Sequence, residues 1–413
     1  MNFELFIAKR ISARKPGKKN GVRSLVNISM VAIALSITIM ILSISILVGF
    51  KKEIKRKISG FSAHIQVSRL TGENSRESQM MKLDETFLKS LRSHPYVANV
   101  YPFATKPALL KSGTDLQGVV LKGVDSNFSW EFFSSYLLRG RLPDLRDSSS
   151  LDIMISTDLA NLLKRDTADR LPAYFIEDPP RMRPFRISGI YSTGLAEYDR
   201  MYVYCHLQQI RIINGWETNE AGGIGIMLLD PDRVDRVAGR IRSENMFLPG
   251  NDQELAEVQT IRDLAPGFFD FLSLTDTNVW VILSLMILVA GFNMISGLLI
   301  LILDRTRMIG ILRSLGAQVY SLQRIFLYQS AWIIGKGLIL GNILGIGLAV
   351  IQKQFKLITL DPESYFIDSV PVFLNPLHLV WLNVATLVLT LLMLIIPSRI
   401  ISKLSPEKTI KFD

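Results

Sequence analysis

Side chains that could perform covalent chemistry are few in this sequence and are not grouped. The four histidines are scattered among predicted strands and loops: His64, His94, His206 and His378. No H-E-x-x-H, C-x-x-C or G-x-x-x-x-G-K-[ST] pattern occurs, and Gly335-Lys336-Gly337 lies inside an apolar run without the rest of a phosphate loop. Tyr198-Asp199-Arg200 places a carboxylate beside an arginine, with no nucleophile and base nearby in sequence. We predict no catalytic residue and no metal site, so energy-requiring work needs nucleotide hydrolysis by a partner.

Four apolar stretches are long enough to cross a bilayer: residues 24–50, 277–303, 325–352 and 372–398. At about 1.5 Å per residue, each helix would reach roughly 40 Å, more than the roughly 30 Å of a hydrocarbon core. The third stretch contains Lys336, about 17 Å along the helix and therefore near mid-bilayer. A charge there indicates a functional role by default, although packing against another subunit or snorkelling explains it as well.

The excess positive charge lies in the segments that flank these spans. The net charge is +10, yet residues 51–277 hold 29 Lys+Arg against 30 Asp+Glu, which leaves 18 basic and 7 acidic residues elsewhere. This is the positive-inside pattern rather than the basic surface of a nucleic-acid-binding protein. It predicts that residues 1–23, 304–324 and 399–413 are cytoplasmic and that residues 51–276 and 353–371 are extracytoplasmic.

The predicted outer domain has a strand–helix–strand pattern at each end, at about residues 60–104 and 222–265. "AHIQVS", "LDETFLKSLRSH" and "YVANVYPF" form the first, and "GIGIMLLD", "PDRVDRVAGRIRS" and "AEVQTIRDL" form the second. Between them, residues 105–220 consist of short strands with turn signals, including a hairpin around Ser112–Asp115. The predicted fold class is therefore membrane α-helical with four transmembrane helices, plus an α+β extracytoplasmic domain.

A double proline joins two predicted strands within "YFIEDPPRMRPFRISGIY". Because proline lacks an N–H and fixes φ, this turn is expected to be stiff and to project. One interpretation is an ordinary rigid hairpin tip, and the other is a docking finger for a periplasmic partner. The residues of this candidate docking hairpin are Asp178, Pro179, Pro180, Arg181, Met182 and Arg183.

The segment "DRTRMIGILRSLGA", residues 304–317, lies between the second and third spans. On a helix, Ile309, Leu312 and Leu315 share one face, with Met308 and Ile311 at its edges. Three arginines spread around the rest of the helix, and Gly316 is a natural helix stop. The pattern indicates a surface for another protein, and we expect charged substitutions at Ile309 or Leu312 to abolish coupling without unfolding the chain.

The segment that continues from this loop, "DRTRMIGILRSLGAQVYSLQRIFLYQSAWIIGKGLILGNILGIGLAV", resembles FtsX-like and MacB-like permeases. The stretches "FIAKRISARK", "SISILVGFKKEIKRKISGFSAHIQV", "ISGIYSTGLAEYDRMYVY" and "VPVFLNPLHLVWLNVATLVLTLLMLIIPSRIISKLSPEKTI" are similar to the lipoprotein-releasing permeases of the LolC and LolE family. The resemblance covers nearly the whole chain in the same order. The loop marks the superfamily, and "STGLAEYD" together with the domain length indicates the lipoprotein releasers.

This resemblance implies the permease subunit of a type VII ABC transporter in the bacterial inner membrane. Residues 304–324 would form a coupling loop that contacts a separate ATPase, which binds ATP and Mg²⁺, while this chain binds no cofactor. The family's loop has two acids, at the positions of Asp304 and Met308, so an ion pair from the second is not implied here. The implied ATPase-coupling residues are Arg305, Thr306, Arg307, Met308, Ile309, Gly310, Leu312, Arg313, Leu315 and Gly316.

The resemblance also implies an acylated lipoprotein as substrate, a periplasmic carrier that receives it, and a second permease, either a copy or a paralogue. The acyl chains would lie between the first two spans near the outer leaflet, and "IEDPPRMRP" corresponds to the carrier-binding hook of LolC. The implied lipoprotein-cavity residues are Ile41, Ser45, Val48, Phe50, Trp280 and Leu283. Two alternatives remain open: a MacB-like efflux permease, and an FtsX-like mechanical relay to a periplasmic wall hydrolase.

Overall fold

The structure is a computed structural model that describes residues 20–70, 76–177, 179–244, 247–248, 251–361 and 365–398. The predicted cytoplasmic tail, residues 399–413, and most of the N-terminal segment, residues 1–23, lie outside the described residues, as does Asp178. The helices are α1 (Asn20–Ser62), α2 (Glu85–Arg92), α3 (Glu131–Ser134), α4 (Thr157–Leu163), α5 (Ala196–Met201), α6 (Leu207–Asn214), α7 (Val234–Glu244), α8 (Ile261–Leu264), α9 (Pro266–Asp304), α10 (Thr306–Ser314), α11 (Val319–Phe355) and α12 (Pro376–Ser398).

The strands are β1 (Ile65–Arg69), β2 (Met81–Lys82), β3 (Val97–Ser112), β4 (Asp115–Val124), β5 (Leu137–Gly140), β6 (Asp152–Ser156), β7 (Arg170–Phe175), β8 (Arg181–Tyr191), β9 (Tyr202–His206), β10 (Glu220–Ala221), β11 (Gly223–Leu228), β12 (Phe247–Leu248) and β13 (Asn251–Thr260). The chain divides into two compact units. The membrane unit takes in the described residues up to Lys51, Phe271–Thr359 and those from Ser369 onward. The outer unit takes in Lys52–Asp270 and Leu360–Asp368.

Four helices of the described chain, α1, α9, α11 and α12, are long and apolar enough to cross a membrane, which confirms the prediction of four transmembrane helices. Helix α1 continues through the charged "KKEIKRK" segment to Ser62, since a helix need not end where its apolar run ends. Helix α12 begins at Pro376, four residues after the start of the predicted span. Asn375 Oδ1 accepts a hydrogen bond from the Leu377 N–H at 2.9 Å, and proline is favoured in the first helical turn.

Within the membrane unit, α1 and α11 approach closely along a row of glycines spaced four residues apart. A side chain's first carbon would lie 2.8 Å from Ile33 Cγ2 at Gly337, 2.6 Å from the Ala34 carbonyl oxygen at Gly341 and 3.1 Å from Ile41 Cβ at Gly345. Small residues allow this contact because helix association in a bilayer depends on close packing. The same carbon would meet nothing within 4 Å at Gly335 or Gly347, so two of the five glycines in this span do not serve this contact.

Helices α11 and α12 are joined by a pair of amides. Asn342 Nδ2 donates to Asn383 Oδ1 at 2.6 Å, and Asn383 Nδ2 donates to Asn342 Oδ1 at 3.0 Å. Because each amide supplies both a donor and an acceptor, the pair satisfies its polar groups in the membrane unit without water.

In the outer unit, the two predicted strand–helix–strand segments combine into one sheet. The strand order is β13-β1-β11-β3, with every pair antiparallel, so the strands of the two segments alternate. Helices α2 and α7 bury their apolar faces on this sheet, with Phe87, Leu91, Val237 and Ile241 in its core. This is the β-α-β-β-α-β arrangement of a split βαβ fold. The predicted strand "AEVQTIRDL" ends at Thr260, because a capping box between Thr260 and Asp263 begins α8.

The central, β-rich part of the outer unit extends the sheet from β3. The order continues β3-β4-β9-β6-β8-β5, and β7 pairs with both β3 and β8. The predicted hairpin is present, since Ser112 pairs with Asp115 across the turn between β3 and β4. A second core fills this part, with α4 and α6 packed on the strands through buried residues such as Leu159, Leu163, Leu207 and Ile210.

The last turn of α1 is fixed inside the outer unit by aromatic packing. Phe61 is fully buried, and six rings have their centroids within 5.2–6.5 Å of its own: Phe132, Phe133, Tyr191, Tyr198, Tyr202 and Tyr204. The Phe61 carbonyl, one of the unpaired acceptors at a helix C-terminus, accepts hydrogen bonds from Lys122 Nζ and from the Tyr204 hydroxyl at 3.2 Å. Burial lowers the pKa of Lys122 to about 7.

We expect Lys122→Met to flatten the pH dependence of stability. The unfolded chain holds the lysine proton up to its ordinary pKa of 10.5, whereas the folded chain releases it from about pH 7. The free energy of unfolding contributed by this group therefore rises with pH between those values. Urea denaturation in detergent across this range should show that rise in the parent chain and not in Lys122→Met. The exposed Lys111→Met should behave like the parent; parallel profiles for all three chains would contradict the assignment.

Candidate functional site: the helix between the second and third spans

The loop segment predicted to contact a partner forms helix α10 with a defined end at each side. Thr306 Oγ1 donates to the Leu303 carbonyl at 2.6 Å, and Arg305 Nε lies 3.4 Å from Asp304 Oδ2. At the other end Gly316 has φ +89°, its N–H donates to the Arg313 carbonyl at 3.1 Å, and the next N–H, of Ala317, donates to Leu312 at 2.9 Å. These two bonds form a Schellman motif, so Gly316 is the helix stop that the sequence predicts.

The apolar face predicted as the contact surface is partly buried in the membrane unit and partly exposed. Ile309 is fully buried, and Met308 and Leu312 pack against the same apolar cluster, which contains Leu322 and Ile325 of α11. Gly310 is also buried. The apolar core of the membrane unit lies next to α10 and therefore covers the part of the predicted face that contains Met308, Ile309 and Leu312. Ile309 and Leu312 therefore hold α10 in place, and the full burial of Ile309 argues against the expectation that a charge at this position leaves the chain folded.

A different stripe of α10 is exposed. Leu315 is 78% exposed and Ile311 is 55% exposed, and Arg307 and Ser314 are exposed beside them. The positions 307, 311, 314 and 315 follow the i, i+4, i+7, i+8 spacing of one helical face. Leu315 was predicted as a site residue, whereas Ile311 was placed only at the edge of the predicted face. The helical spacing was the available signal, but it could not show which apolar face the membrane unit covers.

The candidate docking hairpin is present between β7 and β8, whose pairing ends at Phe175 and Arg181. Two of its arginines are engaged within the outer unit. Arg181 donates to the Ile213 carbonyl and pairs with Glu177 at 3.1 Å, and Arg183 Nη1 donates to Gln209 Oε1 at 3.1 Å.

The side chains that project at this tip are apolar. Ile176 is 86% exposed and Met182 is 54% exposed. Pro179 and Pro180 are exposed between them. The docking residues predicted from the sequence included Met182 but not Ile176, which precedes the double-proline turn.

The six predicted lipoprotein-cavity residues lie in different environments. Ile41 faces Gly345 of α11, and the Ser45 carbonyl accepts the Phe373 N–H at 3.0 Å. Phe50 is buried beside Phe271 of α9, with ring centroids 6.0 Å apart. Leu283 belongs to the membrane unit's apolar cluster and Val48 is half-buried, whereas Trp280 is 68% exposed.

The buried titratable side chains of the outer unit have structural contacts. Asp199 is buried, and it accepts the Thr193 N–H at 3.0 Å and the Thr193 hydroxyl at 2.8 Å, while burial raises its pKa to about 6. His64 Nδ1 accepts the Leu228 N–H at 2.9 Å, and burial lowers its pKa to about 4. Among the residues described, no group of three or more His, Cys, Asp or Glu side chains could hold a metal ion.

Two protein families match this chain over most of its length. The MacB-like periplasmic core domain family matches residues 28–244, slightly more than half of the chain, and the FtsX-like permease C-terminal family matches residues 280–406. The periplasmic region of MacB from Actinobacillus actinomycetemcomitans, a solved structure, has 14% identity and a TM-score of 0.35, covering 52% of this chain and 97% of that one.

Relatives of similar length carry the name lipoprotein-releasing system transmembrane protein. LolC of Neisseria meningitidis serogroup B is 23% identical over 414 residues, which cover 96% of each chain. LolE of Haemophilus influenzae is 24% identical over 435 residues, which cover 99% of each chain. Since the two family matches divide between the outer domain with its first span and the last three spans, this chain belongs to the family of membrane permeases that join a MacB-like periplasmic core domain to an FtsX-like permease C-terminal region.

Proposed function

We propose that this chain is the permease subunit of an ABC transporter that extracts acylated lipoproteins from the outer leaflet of the inner membrane and passes them to a periplasmic carrier. The observation that carries the proposal is the full-length similarity to LolC and LolE, whose names assign them to a lipoprotein-releasing system. The proposal places the termini and α10 in the cytoplasm, in agreement with the distribution of Lys and Arg around the spans.

The physical cost of the reaction explains why such a subunit needs a separate motor. Each CH₂ of an acyl chain that leaves the membrane costs about 0.8 kcal/mol, and a lipoprotein carries several chains of many CH₂ groups. Because the sequence has no phosphate-binding loop, ATP and Mg²⁺ are assigned to a partner ATPase. A second permease, either another copy or a paralogue, is assigned as the other half of the transporter.

Helix α10 is the proposed contact for that ATPase. It is a short helix with a Schellman motif at its C-terminal end, it is attached to the membrane unit by Ile309 and Leu312, and it presents Ile311 and Leu315 outward. A helix fixed on one side and exposed on the other can pass a displacement from a partner to α9 and α11, which it connects in the chain. The coupling surface is thus assigned to Arg307, Ile311, Ser314 and Leu315.

The β7–β8 hairpin is the proposed contact for the carrier. Its exposed side chains are Ile176 and Met182, and apolar side chains at a rigid tip lose little conformational entropy when they bind. Arg181 and Arg183 are assigned a supporting role, because their contacts with Ile213 and Gln209 fix the base of the hairpin.

The experiment that tests the proposal is photocrosslinking from Trp280 in living cells. Trp280 is 68% exposed near the start of the second predicted span, residues 277–303, whereas Ser45 on α1 is buried. With a photoreactive amino acid at position 280, we expect adducts that contain an acylated lipoprotein, identified by mass spectrometry. The matched control is Trp381 near the outer end of α12, which is 66% exposed, and it should give little of this adduct.

Each other result would point to a different function. Peptides or small amphiphiles at position 280 without lipoprotein would favour an efflux permease. Adducts only with neighbouring spans at position 280, together with a periplasmic wall hydrolase bound to the outer unit, would favour a mechanical relay.

A further inference from the structure

Five aromatic and basic side chains follow one another along α11, from its first turn to the middle of the third span. They are spaced four residues apart, and all five are exposed: Tyr320, Arg324, Tyr328, Trp332 and Lys336. Residues four apart on a helix form one continuous ridge on its surface. We call these five residues the cationic–aromatic ridge.

The two cations of the ridge lie against the aromatic residue one turn before them. The Arg324 guanidinium carbon is 4.3 Å from the centre of the Tyr320 ring, and Arg324 Nη2 lies 3.2 Å from the Tyr320 hydroxyl. Lys336 Nζ is 5.4 Å from the centre of the Trp332 ring. Both side chains therefore lean toward the start of α11, the direction in which helical side chains normally point. The Lys336 ammonium is aimed toward the membrane surface on the α10 side.

No carboxylate of this chain's own spans can neutralise Lys336. Residues 24–50, 277–303, 325–352 and 372–398 contain no Asp or Glu, so a second copy packed against the ridge would bring no acidic partner at this depth. Within the described residues, Lys336 contacts the Trp332 ring and forms no ion pair. An exposed lysine at this depth is costly in lipid unless an anion reaches it or it reaches the interface.

We propose that the cationic–aromatic ridge binds the phosphate of an anionic phospholipid from the leaflet on the α10 side. A phospholipid phosphate that no cation of its own head group neutralises carries a net negative charge, and an ammonium binds such a phosphate well as a point charge. Arg324 and Tyr320 lie at the level where head groups and interfacial aromatic residues are found. Between that level and Lys336, Tyr328 and Trp332 supply polar atoms and aromatic ring faces. A phosphate can therefore lie deeper than the neighbouring head groups and contact the Lys336 ammonium. This site does not depend on which substrate the transporter moves.

The proposal is tested with the purified full-length protein in detergent, titrated with phosphatidylglycerol or phosphatidylcholine and followed by native mass spectrometry. Lys336→Met should weaken phosphatidylglycerol binding about fivefold or more, the effect of losing one cation near a head group. Lys336→Arg should keep the affinity, and phosphatidylcholine binding should change little in either variant. A matched control, Lys336→Met with Ile343→Lys, keeps the net charge at another exposed position of α11 and should not restore binding.

Three outcomes would overturn the proposal. Equal phosphatidylglycerol affinity of the parent and Lys336→Met would show that the ridge does not select anionic lipid. Restoration by Ile343→Lys would show that net charge matters and the ridge does not. A photoreactive amino acid at position 332 that links in cells to a membrane helix of another protein, rather than to phospholipid, would show that a protein covers the ridge.

Discussion

Replacing Ile311 and Leu315 together by glutamate is expected to abolish binding of the partner ATPase while leaving the membrane unit folded. Both side chains are more than half exposed, so their replacement removes little internal packing. The few residues that dominate an interface each contribute about 2 kcal/mol or more, which corresponds to roughly thirtyfold in Kd, and we expect Ile311 and Leu315 to be among them. Two introduced charges would also have to be desolvated on binding. Co-purification with the ATPase and its stimulated turnover should both be lost.

The controls for this result distinguish contact from folding. Leu357→Glu changes a side chain that is 69% exposed beyond the C-terminal end of α11, away from α10, and should leave ATPase binding unchanged. Ile309→Glu places a charge at a fully buried position and should lower the yield of monodisperse protein. If the Ile311 and Leu315 double variant still binds and stimulates the ATPase, the exposed stripe of α10 is not the coupling surface.

The existence of α10 could be predicted from the sequence, but its orientation could not. Gly316 and the apolar spacing indicated a short helix with a defined end, and the structure contains both. Periodicity shows which residues share a face, yet both the partner and the chain's own membrane core can cover an apolar face. Ile309 and Leu315 look equivalent in the sequence, but one is fully buried and the other is 78% exposed. Only the packing of α9 and α11 around α10 separates them.

The same limitation applies to the predicted lipoprotein cavity. The apolar runs fixed the depth of Ile41 and Ser45 in the membrane, because depth follows from the rise per residue. They did not fix the direction in which these residues face. Ile41 faces Gly345 of α11, more than three hundred residues away in sequence. Trp280, by contrast, is exposed where the prediction needed an accessible residue.

The outer unit shows why element type is easier to predict than strand pairing. The strand–helix–strand patterns of both segments are present, since each helix and strand follows from local periodicity. Nothing in the local pattern indicated that β1 would insert between β11 and β13. That pairing brings together strands from opposite ends of a domain, and it buries the apolar faces of α2 and α7 on a single sheet.

Gly341→Leu is expected to prevent the close approach of α1 and α11 and so to destabilise the membrane unit strongly. The first side-chain carbon would lie 2.6 Å from the Ala34 carbonyl oxygen and 2.8 Å from Ile37 Cγ2. Because the Ala34 oxygen is backbone, the two helices would have to move apart. That movement would also break the 3.2 Å hydrogen bond from Thr38 Oγ1 to the Gly341 carbonyl. Overpacking of this kind typically costs about 1–3 kcal/mol, and a leucine at a backbone contact should reach the upper end.

Gly347→Leu on the same helix provides the matched control, because its first side-chain carbon would meet nothing within 4 Å. Removing a glycine from a helix interior favours the helix by about 1 kcal/mol, so this variant should be as stable as the parent or slightly more stable. The apparent Tm of the monodisperse protein in detergent should therefore fall for Gly341→Leu and hold for Gly347→Leu. A lower Tm for both variants would mean that a larger side chain anywhere on α11 destabilises the protein. An unchanged Tm for both would mean that this glycine row does not hold α1 and α11 together. In the expected case, the row at Gly337, Gly341 and Gly345 accounts for the position of the buried face of α1, including Ile41.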